Sequence, residues 1–562
     1  MKNDAQAPLR DDIRLLGGIL GETLKNQAGE RVYELEEEIR ALSKTARKHS
    51  DLEAEKKLRN IIRSLDDADT LVLARAFGHF LNMANIAENY HTVRTNRNDA
   101  EDAVSDEINK LESLLPSLIE NGVDTKTIYE TISSMEIELV LTAHPTEVKR
   151  RTLIQKNGRI TDLLARRDRT NLTPIEKAET RKDLQTLISS IWQTDEIRRV
   201  RPTPLEEAKW GLAIIEENLW DAIPRYMKNL DQIMKHYVGE VLPLECCPIR
   251  IASWMGGDRD GNPNVTANVT HEVCMLARWM AADLYYREIN NLVQRLSMTE
   301  CSAELREHVG DAREPYRVYL RGIRSRIGKT KQWCEDQIEG ANTAACEEVY
   351  LDVSEFLEDI KRCYNSLLEY NGESIANRSM KDLIRRIHCF GLTLVRIDIR
   401  QEAPRHRNCI NAITEYLELG SYNEWSEEER VAFLVKELES RRPLLPPELP
   451  LDDELQELMD TMRTIARLPS DGLGAYVISM ASSASDVLAV RLLQKEAGVK
   501  NPLRVVPLFE TLSDLDSCRE TMTALFSIPW YKNDINGNQE VMIGYSDSGK
   551  DAGKLAASWA QY

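Results

Sequence analysis

The sequence predicts an α/β protein built on a (β/α) barrel that carries a large excess of helix. Three observations point there. Six short apolar, β-branched segments each run directly into a polar or charged cluster, and long helical patterns such as 206–236 and 426–441 separate them. Strands alternating with helices imply parallel pairing through right-handed crossovers. Chemistry placed just after every strand matches a barrel, whose functional groups gather at the C-terminal ends of its strands. An open doubly wound sheet shows the same alternation and is the alternative. The strand spacings are far wider than a minimal barrel needs, so large helical insertions are expected.

In chain order, the first 134 residues read as a helical region and 135–562 as the barrel. Ile13, Leu16, Leu20 and Leu24 recur at helical spacing, as do Val32, Leu35, Ile39 and Leu42, and 73–86 is a more apolar helix. The strand segments are IELVLTAHPTE (137–147), PIRIASWMGGDRDG (248–261), FGLTLVRIDIRQE (390–402), GAYVISMASSASD (474–486), RVVPLFETLSD (504–514) and VMIGYSDSGKDAG (541–553). Two stretches read as surface connectors: the proline-rich RRPLLPPELPLDDE, 441–454, and the charged segment 94–107.

Bulk composition narrows the function classes. A formal charge of −19 over 562 residues argues against a nucleic-acid or anionic-membrane surface. It leaves room for an anionic substrate, because a few arginines make a locally positive pocket. The ten cysteines form no CxxC pair and read as small buried hydrophobes in a reducing cytosol. The polar N-terminus has no apolar signal core and no run approaches a membrane span, so a cytoplasmic protein is expected.

The strand ends carry the candidate residues. His144 follows the first strand, with Lys149, Arg150 and Arg151 just beyond; a histidine there is either a structural hydrogen-bonder or a proton carrier near neutral pH. SWMGGDRDGNP brings Asp258, Arg259 and Asp260 to a glycine-rich turn. Its twelfth position from Asp258 is Val269, which excludes an EF-hand. In VRIDIRQE, alternation sends Arg396, Asp398 and Arg400 to one face. A salt bridge of Asp398 with one arginine is the plain reading, leaving Arg400 free to grip an anion. Glu510 and Asp547 end successive strands and could be oxygen ligands for Mg²⁺ or Mn²⁺, or structural ion-pair partners. IGYSDSGKDAG has the G-x-x-x-x-G-K spacing of a P-loop, but Asp551 stands where Ser or Thr is needed and Asp547 lies inside the supposed anion cradle.

In order, TAHPTE, SWMGGDRDGNPNVT, LVRIDIRQE, YVISMA with SDVLAV, PLFETL and GYSDSGKDAG resemble the phosphoenolpyruvate carboxylase family from about residue 10 to the last residue. The resemblance implies a cytosolic, Mg²⁺- or Mn²⁺-dependent, allosteric homotetramer converting phosphoenolpyruvate and bicarbonate to oxaloacetate and phosphate. It implies His144 as the catalytic proton acceptor and Glu510 and Asp547 as metal ligands. Arg400 would grip phosphate with help from Arg396, and Lys550 would place bicarbonate. Asp258 and Arg259 would support the substrate site. The family continues beyond Tyr562 with two further strands, one bearing a His-Gly-Arg-Gly-Gly motif. The chain should therefore hold six of eight barrel strands, and residues 1–562 alone are expected to be inactive. The first serine is Ser43, so the N-terminal phosphorylation switch of plant-type members is not expected. The rival readings are another Mg²⁺ barrel working through a phosphohistidine, a non-catalytic scaffold, and a P-loop nucleotide module.

Overall fold

The computed structural model describes residues 6–99, 111–142, 150–196, 202–260, 262–341, 344–446 and 449–562. Two compact units result, one of residues 1–108 with 145–201, the other of 109–144 with 202–562. This division differs from a single cut after residue 134.

The first unit is helical: 7–28, 30–49, 52–64, 67–99, 151–167 and 174–192. Leu16, Leu20 and Leu24 form the buried stripe expected of the first helix, and they share a core with Leu73, Met83, Leu164, Leu184 and Ile188. The apolar face of 7–28 is thus covered by helices that lie after the first strand in sequence, which is why 151–192 joins this unit. Buried Asp12 sits between Arg94 and Arg167, the latter at 2.6 Å. Arg94 therefore does not begin a surface connector; helix 67–99 runs into that segment, and Arg94 also meets Asp168 at 3.0 Å. The rest of that connector, 100–107, lies outside the described residues.

The second unit holds one sheet of six parallel strands in sequence order: β1 (Ile137–Leu141), β2 (Ile249–Ser253), β3 (Arg396–Glu402), β4 (Leu473–Ser479), β5 (Val505–Phe509) and β6 (Met542–Ile543). Five fall at or next to the start of a segment read from sequence, and β3 falls at the end of its segment. β4 and β5 are buried at every position, as apolar strands covered on both faces must be. Arg504, just before β5, reaches Glu138 on β1 at 2.6 Å. In a flat sheet, strands four places apart are separated by roughly 19 Å, more than the two side chains can span. The sheet therefore curls, and it is an incomplete barrel, not an open doubly wound sheet. Among the described residues, β1 and β6 each keep one edge unpaired.

The described residues of the proline-rich stretch are non-helical until Asp453, but they are not wholly superficial. Leu444 is buried, and its N–H donates to Glu496 at 2.6 Å. All cysteines except Cys346 and Cys518 are buried. Among the described residues, no helix is long and apolar enough to cross a membrane.

Candidate active site

Charged side chains converge where β2, β3, β5 and β6 end. The first contributor is the turn after β2. Gly257 and Asp258 N–H groups both donate to the Trp254 carbonyl at 2.9 Å, closing the turn. The chain then pairs with β3: Arg400 N–H donates to the Gly257 carbonyl and Arg259 N–H to the Arg400 carbonyl, each at 3.0 Å. A Cβ on residue 257 would lie 1.9 Å from the Asp398 carbonyl oxygen, so only glycine permits this approach.

Arg400 stands at the centre. Its guanidinium meets Asp260 at 2.6 Å, Asp258 at 3.3 Å and Glu510 at 3.7 Å, and its Cζ lies 5.0 Å from the Trp254 ring centroid. Burial raises the Asp258 carboxyl above its ordinary value, opposed by Arg400. Glu510 is raised for the same first reason. Arg400 lowers it, while Asp260, Asp547 and Asp514 raise it further.

Glu510 follows β5 directly, ahead of helix 512–527, which a Thr511–Asp514 capping box starts. β6 then pairs with β5, and Gly544 N–H donates to the Phe509 carbonyl at 2.8 Å. A Cβ on residue 544 would come within 2.5 Å of Glu510 Cβ, so glycine lets the two strand ends touch. The supposed P-loop is helical from Tyr545 to Ala552, with Asp547 in its first turn. Lys550 Nζ lies 3.3 Å from Asp547 Oδ1, both side chains more than half exposed, an arrangement worth little in stability. Asp551 accepts the Leu512 N–H at 2.9 Å, tying this helix to the start of helix 512–527.

Several expectations from sequence meet a different arrangement. Asp398 has no arginine at ion-pair distance among the described residues. It accepts from Ala475 N–H at 2.7 Å and Trp254 Nε1–H at 3.2 Å, and burial pushes it up to about 6. Arg396 opens β3 while Arg400 lies near its end, so roughly 13 Å of strand separates them and the two do not share a site. Arg259 is buried. It donates to the Gly257 carbonyl at 3.0 Å and to Thr270 Oγ1 at 2.6 Å, pinning the turn instead of facing the convergence. Asp258, Arg400, Glu510, Asp547 and Lys550 are brought to one end of the sheet. His144 and Lys149 lie outside the described residues, and Arg150 pairs with Asp195 at 3.6 Å. Asp260 was given no role from sequence, yet it is the carboxylate nearest Arg400. The D-x-D spacing of Asp258 and Asp260, continuing a strand, was the available signal.

Glu510 and Asp547 fit a divalent cation. They are oxygen donors on adjoining strand ends, and Glu510 feels Asp547 and Asp260 as unfavourable neighbours that a cation would relieve. Among the described residues no group of three or more His, Cys, Asp or Glu is arranged around one ion. Two carboxylates completed by water and substrate is the usual magnesium arrangement.

A family model described as phosphoenolpyruvate carboxylase matches residues 9–562. The phosphoenolpyruvate carboxylase of Acinetobacter baylyi is 51% identical over 570 residues, covering 100% of this chain and 64% of that protein. Those of Marinomonas sp. and Pseudomonas aeruginosa are 49% and 48% identical, each covering 100% of this chain and 63% of the relative. The chain thus spans less than two thirds of the length of these curated relatives.

Proposed function

The chain belongs to the phosphoenolpyruvate carboxylase family, and we propose that the whole protein carboxylates phosphoenolpyruvate with bicarbonate to give oxaloacetate and inorganic phosphate. The observation that supports this most is Arg400, fixed on β3 beside Glu510, whose carboxyl also feels Asp547, at the end of a parallel barrel sheet. Its planar fork suits the phosphoryl group, and Asp258, Asp260 and the Trp254 ring fix its direction before substrate arrives.

In this reading a bicarbonate oxygen attacks phosphorus and the bond from phosphorus to the enol oxygen breaks. Carboxyphosphate and the enolate of pyruvate result. Lys550, on the exposed face of its helix, places bicarbonate through its charge. His144 takes the proton from carboxyphosphate, whose carbon–oxygen bond then breaks to release CO₂ and phosphate. The enolate carbon captures CO₂. Mg²⁺ or Mn²⁺ held by Glu510 and Asp547 would supply Lewis-acid stabilisation of the charge developing on oxygen.

Residues 1–562 alone are proposed to be inactive. Among the described residues the outer edges of β1 and β6 are unpaired, which supports this reading. Losing even one anion-stabilising donor costs roughly 10²–10³ in rate. Cytoplasmic location, homotetrameric assembly, allosteric control and the absence of nucleic-acid or membrane partners belong to the same proposal.

The test is a coupled oxaloacetate assay on the full-length protein. His144→Asn and Asp547→Asn should each lower kcat by at least roughly 10². Full activity in both variants would overturn the assignment, and a stable phosphohistidine at residue 144 without bicarbonate-dependent phosphate release would replace it with a phosphotransferase.

A further inference from the structure

Asp398 is a carboxylate that the fold encloses without a cation. It lies in the middle of β3, 2% exposed, and no cationic side chain stands at ion-pair distance among the described residues. Two glycines make room for it. A Cβ on residue 474 would lie 2.1 Å from Asp398 Oδ1, and one on residue 257 would lie 1.9 Å from its carbonyl oxygen. A neutral side chain would be far cheaper to bury. What a carboxylate alone offers is two acceptor oxygens and no donor, and both oxygens are used. Oδ1 accepts the Ala475 N–H of β4 at 2.7 Å, and Oδ2 accepts Trp254 Nε1–H, from the turn after β2, at 3.2 Å.

The indole links this carboxylate to Arg400. Trp254 N–H donates to the Leu141 carbonyl of β1 at 2.9 Å, which fixes the backbone; the Nε1 bond then fixes how the ring is turned. Asp398 and Arg400 stand two positions apart on one face of β3, roughly 7 Å. The ring reaches both, with Arg400 Cζ 5.0 Å from its centroid. Asp258 and Asp260 hold the guanidinium by its N–H edge. A ring face holds its plane.

We propose that Asp398 is a positioning residue for phosphoenolpyruvate: it locks the Trp254 ring, and the ring sets the plane of the Arg400 guanidinium that takes the phosphoryl group. The inference rests on the reaction proposed above and adds to it a residue buried too deeply to touch substrate. Asparagine cannot replace Asp398, because its amide nitrogen would face one of the two donors.

Steady-state kinetics on the full-length protein with Mg²⁺ test it, using Asp398→Asn, Trp254→Phe and the double variant. Trp254→Phe keeps an aromatic face for Arg400 and loses the N–H that Asp398 holds. Each single variant should raise KM for phosphoenolpyruvate about tenfold and leave KM for bicarbonate within about twofold. The double variant should be no worse than the poorer single one, since both changes cut the same link. A purely structural role would lower the active fraction, and so kcat, while leaving both KM values unchanged. An unchanged KM for phosphoenolpyruvate in either single variant, or multiplied effects in the double one, would overturn the inference and leave the reaction standing. A wild type that makes no oxaloacetate would overturn the reaction and this inference with it. Should Asp398→Asn fail to fold, the KM shift of Trp254→Phe decides.

Discussion

Two arginines on one strand make the instructive comparison. Arg396 and Arg400 share a face of β3, yet Arg400 is enclosed by Asp258, Asp260, Glu510 and an indole, while the Arg396 side chain makes no hydrogen bond or ion pair among the described residues. Alternation fixed the face in both cases. Position along the strand decided what each could meet: near Arg400 the turn after β2 and the end of β5 supply carboxylates that pair with it, whereas Asp471 and Glu136, near the start of β3, are taken by Arg278 and Arg250. A cation held by three acids is preorganised for an anion that arrives with its own cation.

The largest test of this contrast removes each arginine in turn. Arg400→Met would leave three carboxylates without their shared cation and should destabilise the fold by about 3–5 kcal/mol in urea unfolding. Arg396→Met breaks no pair and should cost less than about 1 kcal/mol. Equal losses would erase the distinction between the two ends.

Next comes the turn that carries Asp258 and Asp260 to Arg400. Gly257→Ala puts a Cβ against the Asp398 carbonyl, where backbone must move. A loss of about 3 kcal/mol or more is expected. Gly549→Ala is the control: no atom lies within 4 Å of its added Cβ and it sits inside a helix, so Ala should stabilise by about 0.5–1 kcal/mol. A true phosphate-cradling glycine would not behave that way.

Between the two arginines lies Asp398, raised to about 6 by burial, and the helix after β3 carries His406, lowered to about 4, also by burial. Their pH signatures run in opposite directions. An unfolded aspartate titrates near ~3.9, so Asp398 favours folding fully below that value, and this contribution is lost as pH rises through about 6. An unfolded histidine titrates near ~6.5; the His406 contribution is present above that and lost as pH falls through about 4. Relative to Asp398→Asn, the wild type should therefore gain stability between about pH 7 and pH 4.5. Parallel unfolding profiles for the two proteins across that range would show that Asp398 is not held neutral by its surroundings. The smallest effect is expected for Asp551→Ala, which removes the acceptor at the start of helix 512–527 and should cost about 1 kcal/mol in the same assay.

By itself the sequence determined the six strands, their parallel sense, and the placing of Asp258, Arg400, Glu510 and Asp547 at strand ends. These are short-range consequences of apolar periodicity, glycine turns and where a strand stops, and a few neighbouring residues suffice to set them. Only the tertiary structure decided which charges meet. It put Asp260 against Arg400, sent Arg396 to the opposite end, gave Asp398 an indole and an amide in place of an arginine, and joined helices 151–167 and 174–192 to the N-terminal core. It also turned Asp551 toward the Leu512 N–H. The Arg504–Glu138 pair shows why: residues 366 apart in sequence meet because the sheet curls. Curl and register come from the sum of packing across many strands, and no local pattern carries them.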